Sequence, residues 1–243
     1  MTRAWLLFTS IAFSCNLRVS HPHVAVFSTV ETLMRSDSSR TGFFTNTSLF
    51  DAKYEEVEYR TIRGDVFVKN SGTQNALMCR YDTATMRPIW IQTALGKGSH
   101  GLNYYTVPPE HAVFVAGCFE DTAYFPIKTG SPFCDTVVSK GGADLFVAKY
   151  DYDTGTLLWV HSGGSVNSDV IFTYNGARHS ETFMRVDSST VTVCANFFGS
   201  AIFDGNTINA KTSGSAVAIA YAKQDGIVQS VRFVKDMADF AGK

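Results

Sequence analysis

The chain has 243 residues, of which 45% are hydrophobic and 18% are charged, so it can bury a sizeable core and is not disordered throughout. Its net charge of −1 gives no electrostatic basis for binding nucleic acid or an anionic membrane. The 19 phenylalanines and 10 tyrosines, against 6 prolines, favour an all-β protein.

Residues 1–20 predict a signal peptide, which would make the protein secreted or attached to the cell surface. Arg3 is followed by a short apolar run at 4–13. No stretch approaches the roughly 20 apolar residues of a transmembrane helix, so none is predicted. The alternative is a buried N-terminal strand. In a secreted eukaryotic chain, Asn46 of Asn46-Thr47-Ser48 would be a possible glycosylation site.

One motif occurs three times along the chain, at 41–50, 116–125 and 195–203, and each copy joins small residues to a pair of aromatic positions. β-rich runs precede the second and third copies, at 111–116 and 189–194, and the residues at 182–186 predict a further strand. Phe119 and Phe198 are the predicted anchors of this motif.

A second motif, which predicts a hairpin, alternates with the first. In Asp144–Trp159 the side chains alternate between two faces, Asp153-Thr154-Gly155 is turn chemistry, and the second strand ends on Trp159. Residues 77–90 match 146–159 without a gap, so Trp90 meets Trp159 at a spacing of 69 residues, and Gly72 meets Gly141. A weaker copy at 218–226 keeps Asp225-Gly226 but lacks the tryptophan.

Two alternating motifs predict tandem repeats of about four strands each, with Gly72, Gly141, Trp90 and Trp159 as further structural anchors. We expect a signal peptide at 1–20 and one repeat domain at 21–243. Its units are about 24–52 (partial), 57–126, 141–204 and 216–235 (partial). Loops, including 124–140, account for the length of each unit.

Residues 141–151, with Leu157-Leu158-Trp159 and Ser162-Gly163-Gly164, resemble the bacterial β-propeller repeat labelled SBBP. Thr41-Gly42-Phe43-Phe44 and Ala116-Gly117-Cys118-Phe119 resemble the strand-end motif of that family. The resemblance covers about residues 41–235. It implies a β-propeller-like array of four-stranded blades, in secreted or cell-surface proteins, with no catalytic residue.

Residues 151–159 also resemble the tryptophan-docking repeat of quinoprotein (PQQ-like) dehydrogenases, which hold pyrroloquinoline quinone and a metal in an eight-bladed ring. The chain has too few blades for such a ring and lacks the adjacent cysteine pair of that family. Packing of the hairpin explains the Gly-Thr-x-x-Trp sequence equally well.

No residue is predicted to be catalytic, to bind a cofactor or to bind a metal. Beyond the signal, Cys79, Cys118, Cys134 and Cys194 allow three disulfide pairings, but the repeat alignment favours buried thiols, with Cys134 in a loop. Asp151-x-Asp153-x-Gly155 begins like a calcium loop but lacks the distal glutamate, which favours a turn.

These expectations predict a non-catalytic protein that binds an unknown protein or glycan ligand, or acts as a scaffold. The alternatives are a propeller enzyme, quinoprotein-like or hydrolytic, and a fragment of a larger propeller. Because propellers close with four to eight blades, we expect an incomplete, open arc that associates through its exposed blade faces.

Overall fold

A computed structural model describes residues 24–27, 35–36, 41–49, 56–61, 64–69, 74–82, 88–96, 100–128, 131, 133–167, 183–211, 214–235 and 240. In this part of the chain the fold is all-β, with several antiparallel sheets, none of which is closed among the described residues. No helix among these residues has the length and apolar character needed to cross a membrane. The predicted signal peptide and Gly72 lie outside the described residues.

The described strands form three segments with one order: two strands, a hairpin and two further strands. A single additional strand, β1, spans Val24–Phe27. The first segment contains β2 (Arg35–Ser36), β3 (Thr41–Leu49), β4 (Glu56–Thr61), β5 (Gly64–Lys69), β6 (Gln74–Asp82) and β7 (Pro88–Gly96). The second contains β8 (His100–Val107), β9 (Ala112–Phe119), β10 (Thr122–Pro126), β11 (Cys134–Val138), β12 (Asp144–Asp151) and β13 (Leu157–Ser165). The third contains β14 (Phe183–Val186), β15 (Thr190–Phe197), β16 (Ser200–Phe203), β17 (Asn206–Asn209), β18 (Ser215–Ala222) and β19 (Val228–Phe233).

The first two and last two strands of each segment form an antiparallel meander. The hairpin between them is not part of this meander: β10–β11 and β16–β17 each extend the sheet of the preceding segment. Sheet 1 has the order β11-β10-β7-β6-β3-β2, and sheet 2 has the order β17-β16-β13-β12-β9-β8. Sheet 3 has the order β14-β15-β18-β19. The hairpin of the first segment, β4–β5, instead pairs with β1, which runs parallel to β4.

The predicted strand pairs at 77–82 and 146–151 are confirmed as equivalent. β6 pairs with β7 and β12 pairs with β13, and each ladder has a bulge at the same place, Arg80/Tyr81 and Lys149/Tyr150. The third ladder has its bulge at Ala220/Tyr221. The predicted strand ends are wrong, however: Trp90 and Trp159 lie near the start of strands that continue to Gly96 and Ser165, because the neighbouring hairpin pairs with their far ends.

The loop predicted at 124–140 is also wrong, since it contains most of the β10–β11 hairpin, and Cys134 begins β11. Phe125 of this hairpin packs edge-on to Phe146 of β12, with the ring centroids 4.9 Å apart. Phe203 of β16 packs in the same way on Phe197, also at 4.9 Å. Each hairpin therefore pairs with one sheet and buries its aromatic side chain against the next.

Two hydrophobic cores hold the sheets face to face. Between sheets 1 and 2, Met78 and Trp90 meet Val113, Val115 and Phe146. Between sheets 2 and 3, the core residues are Phe114, Leu145, Val147, Trp159, Val191, Val193, Val217, Ile219 and Tyr221. Because side chains alternate along a strand, sheet 2 supplies one face to each core.

Three of the four cysteines in the described part of the chain are buried, as the sequence predicts. Cys79, Cys118 and Cys194 are buried, and Cys134 is exposed. Burial raises the pKa of the Cys79 and Cys194 thiols to about 12, because a thiolate loses its hydration there. These thiols act as small apolar side chains of the sheets.

Candidate functional site

The turns of sheets 2 and 3 at one end of the molecule carry a set of ion pairs and side-chain hydrogen bonds, and we call them the turn edge. It comprises residues 108–111 between β8 and β9, 152–156 between β12 and β13, 187–189 between β14 and β15, and 223–227 between β18 and β19. Strand register places the two turns of each sheet at one end, since Asp151 lies opposite Ala112 in sheet 2 and Ala222 lies opposite Thr190 in sheet 3. The contact of Lys223 with Glu110 brings the turns of the two sheets together.

The turn between β12 and β13 is organised by Asp151. Its Oδ1 atom accepts hydrogen bonds from the backbone N–H of Asp153 at 3.1 Å and of Thr154 at 2.8 Å, and from the Thr154 hydroxyl at 2.7 Å. The sequence analysis assigned turn formation to Asp153 instead. Among the described residues, no group of three or more His, Cys, Asp or Glu side chains could hold a metal ion.

Asp153 connects two other elements to this turn. Its Oδ1 atom accepts a hydrogen bond from Arg80 Nη1 of β6 at 3.1 Å, and its Oδ2 atom lies 2.5 Å from His111 Nδ1. The hydrogen bond with His111 lowers the pKa of Asp153, and the hydrogen bond with Arg80 lowers it further. Asp153 therefore ties sheet 1 to sheet 2 and does more than shape the turn.

Three side chains of sheet 1 bind the backbone of this turn, and we call them the docking triad: Arg80, Trp90 and Gln92. Arg80 Nη1 and the indole Nε1 of Trp90 each donate to the carbonyl oxygen of Tyr152 at 2.9 Å. Gln92 Nε2 donates to the carbonyl oxygen of Gly155 at 2.6 Å. The Arg80 guanidinium also lies over the Tyr152 ring, 3.9 Å from its centroid.

Sheet 2 repeats this arrangement with a second docking triad on β12 and β13: Lys149, Trp159 and His161. Lys149 Nζ and Trp159 Nε1 donate to the carbonyl oxygen of Lys223 at 2.7 and 3.3 Å. His161 Nε2 lies 3.1 Å from the carbonyl oxygen of Asp225, and its ring packs edge-on to Trp159. The two triads occupy equivalent positions relative to the bulges. Sheet 1 therefore binds a turn of sheet 2 in the same way as sheet 2 binds a turn of sheet 3.

Lys223 joins the turns of sheets 2 and 3. Its Nζ atom lies 2.5 Å from Glu110 Oε1 and donates to the carbonyl oxygen of Asp187 at 2.9 Å. The Lys223 side chain is 8% exposed, whereas that of Glu110 is 46% exposed. The buried ammonium thus has anionic and carbonyl partners, which offset its loss of hydration.

The predicted anchors Trp90, Trp159, Phe119 and Gly141 and the possible glycosylation site Asn46 lie in different surroundings. Trp90, Trp159 and Phe119 are buried in the cores. Gly141 allows a close backbone approach, because a Cβ there would lie 2.2 Å from the carbonyl oxygen of Val166. Asn46 lies in β3 opposite Leu77, but its side chain is not among those described.

The partner of Phe119 in the third segment is Phe197 and not Phe198. Phe119 pairs with Asp144 at the start of β12, and Phe197 pairs with Ser215 at the start of β18. Phe197 is fully buried, whereas Phe198 is only half-buried. The sequence alignment of the motif is one residue out of register in the third segment. Because successive side chains of a strand point to opposite faces, this shift exchanges the buried Phe197 for Phe198.

Sequence reasoning missed Arg80, Lys149 and Gln92. A charged or amide side chain within a strand is ordinarily read as solvent-facing, and only the equivalence of Arg80 and Lys149 in the ungapped match could have indicated a shared role. No family model matches the chain, and neither a curated protein nor a solved structure was found to be similar to it.

Proposed function

We propose that the protein is a non-catalytic β-propeller-like repeat protein, secreted or held at the cell surface, that binds a protein or glycan ligand through its turn edge. The observation that supports this best is the use of the docking triads. Their polar side chains bind the backbone of a neighbouring turn and are thereby committed to holding the sheets together. Such side chains position a binding surface, since loops on a rigid scaffold commonly carry recognition.

The charges of the turn edge indicate the chemistry of the ligand. Exposed acidic side chains come from every turn, whereas Arg80 and Lys223 are buried against their partners. These acidic residues are Glu110 and Asp153, which are paired with Lys223 and Arg80, together with Asp187 and Asp225. An edge of this sign favours a ligand that presents basic or hydroxyl groups, and binding should weaken as salt is added.

The test uses the purified full chain immobilised against a panel of extracellular proteins and glycans. Asp187→Asn combined with Asp225→Asn should weaken a ligand bound at the turn edge, and the matched control is Glu120→Gln with Asp121→Asn. The control pair lies between β9 and β10, at the opposite end of β9. Equal losses in both variants, or no ligand in either class, would contradict the proposal.

The enzyme alternative has its own readout. A cofactor that co-purifies with the chain and absorbs visible light would favour a quinoprotein-like enzyme over a binding protein. Secretion is tested separately by N-terminal sequencing of the protein recovered from the medium, which should begin near residue 21. A protein retained in the cell with Met1 intact would contradict the predicted signal peptide.

A further inference from the structure

The outer face of sheet 3, which points away from sheet 2, lacks a docking triad. Counting from the shared bulge, Ala220 takes the place of Lys149, Ser230 that of Trp159 and Arg232 that of His161. Neither Ala220 nor Ser230 has a side chain that could reach the backbone of a following turn. The contacts that join sheets 1, 2 and 3 therefore cannot be repeated on this face.

The apolar residues that form a core on sheet 2 are also replaced on sheet 3. The positions of Phe114, Leu145 and Val147 are taken by Thr192, Ala216 and Ala218. These changes remove most of the side-chain volume that a further sheet would pack against. A hydrophobic face of ordinary size is thus absent from the end of the stack.

Phe240 fills the space that these small side chains leave. Its side chain is 5% exposed and forms a cluster with Cys194, Ala216 and Ala218, against which Val234 also packs. The Arg185 guanidinium of β14 lies over the Phe240 ring, 5.0 Å from its centroid. The Phe240 ring thus packs on small side chains of sheet 3 on one side and contacts the Arg185 guanidinium on the other.

We propose that Phe240 is an end cap: it covers the part of the outer face of sheet 3 formed by Cys194, Ala216 and Ala218, and keeps another sheet, from this chain or from a second copy, from docking there. The small residues are what admits the ring, because a leucine or valine at Ala216 or Ala218 would occupy the same space. An end cap excludes this face from the association through exposed blade faces that the sequence predicts. The inference does not depend on the ligand of the turn edge.

The test measures how fast each cysteine reacts with N-ethylmaleimide in the folded full chain, resolved by mass spectrometry. In Phe240→Ala the labelling of Cys194 should rise on the order of tenfold, because a thiol reacts as it becomes exposed. Cys118 should keep its native rate. The control Phe233→Ala, an exposed position on β19, should change neither rate. An unchanged Cys194 rate in folded Phe240→Ala would overturn the proposal.

A second measurement decides the question if Phe240→Ala unfolds, in which case Cys118 would accelerate as well. Replacing Phe240 with the photoreactive p-benzoylphenylalanine should give crosslinks within one chain, to the peptide that contains Ala216 and Ala218. Crosslinks formed only between chains, or only to peptides that contain none of the residues around Phe240 (Arg185, Cys194, Ala216, Ala218 and Val234), would contradict the end cap.

Discussion

At the scale of single residues, the two docking tryptophans carry a large expected contribution to stability. Trp159 is buried and donates its indole N–H to the next turn, so Trp159→Ala removes both packing and a hydrogen bond. We expect a loss of about 3–5 kcal/mol in the free energy of unfolding, and a similar loss for Trp90→Ala. Denaturant melts measure both.

The adjacent Leu158 provides the control for this prediction. Its side chain is 51% exposed, so Leu158→Ala should change the free energy of unfolding by about 0.5 kcal/mol or less. Equal losses for Leu158→Ala and Trp159→Ala would show that the indole is not docked.

Asp187 predicts an acid-sensitive contribution to stability. Hydrogen bonds from the backbone N–H of Ser189 and Thr190, and from the Thr190 hydroxyl, lower its pKa to about 2. A pKa lowered by folding means that the stabilisation is fully present above about pH 4, the unfolded value, and is lost as the pH falls toward 2. Asp187→Asn should reduce this acid-side loss in melts at stepped pH.

Ser188→Ala in the same exposed turn is the matched control, since it changes no titratable group. It should keep the native dependence of stability on pH between 4 and 2. If Asp187→Asn and the native chain lose stability in parallel over that range, the hydrogen bonds to Asp187 are not formed.

The sequence predicts a residue's role well where side-chain size determines burial, and poorly where the role depends on the direction in which the side chain points. Trp90 and Trp159 were identified because a large aromatic residue in a strand is costly to expose. Arg80 and Lys149 were missed, because nothing in a strand sequence shows that a long cationic side chain bends onto a carbonyl oxygen of another sheet. Asp151 and Asp153 are two residues apart, and only geometry distinguishes the turn former from the inter-sheet link.

At the scale of elements, the turn between β12 and β13 must be glycine at its tightest point. Gly155 has φ = 69°, and a Cβ there would lie 2.6 Å from the Trp90 ring. Gly155→Ala should therefore cost roughly 1–2 kcal/mol from the backbone, as for any such site. Displacing the indole should add about 1–3 kcal/mol.

Gly205 separates these two effects. It has φ = 80°, and a Cβ there would meet nothing within 4 Å, so Gly205→Ala carries the backbone cost alone. Thermal or denaturant melts that show the same loss for Gly155→Ala and Gly205→Ala would contradict the docking of Trp90 on this turn.

The hairpins that extend the sheet of the preceding segment, β10–β11 and β16–β17, provide a second prediction at the scale of elements. Phe203 of β16 is fully buried between sheets 2 and 3, so Phe203→Ala should cost about 3–5 kcal/mol. Ile202 beside it is exposed, and Ile202→Ala should cost about 1 kcal/mol or less. Comparable losses at the two positions, measured by denaturant melts, would mean that β16 does not face the core as described.

The sequence predicted the strands of the meanders well, because their apolar alternation and turn residues are local. β14 and β15 lie where the pattern placed them, at Phe183–Val186 and Thr190–Phe197. The β10–β11 hairpin was read as a loop, since its strands are short and its pairing with β7 is a long-range contact. Nothing in Thr122–Pro126 itself names the sheet that the strand joins.

At the scale of the whole molecule, the sheets are linked in two ways. Each docking triad binds the turn of the following sheet. The hairpins β10–β11 and β16–β17 pair with the sheet of the preceding segment. Consecutive segments are therefore joined in both directions, which predicts cooperative unfolding of sheets 1 to 3. Melts followed by tryptophan fluorescence and by far-UV circular dichroism should coincide, and separate transitions would contradict this coupling.

The central claim is that the hairpins β10–β11 and β16–β17 pair with the sheet of the preceding segment. Cross-strand nuclear Overhauser contacts test this pairing most directly. The account predicts contacts between the backbone protons of residues 163–165 and 201–203, and between those of residues 95–96 and 123–124, as the strand registers require. Their absence, with residues 201–203 in contact with the strands of sheet 3 instead, would contradict it.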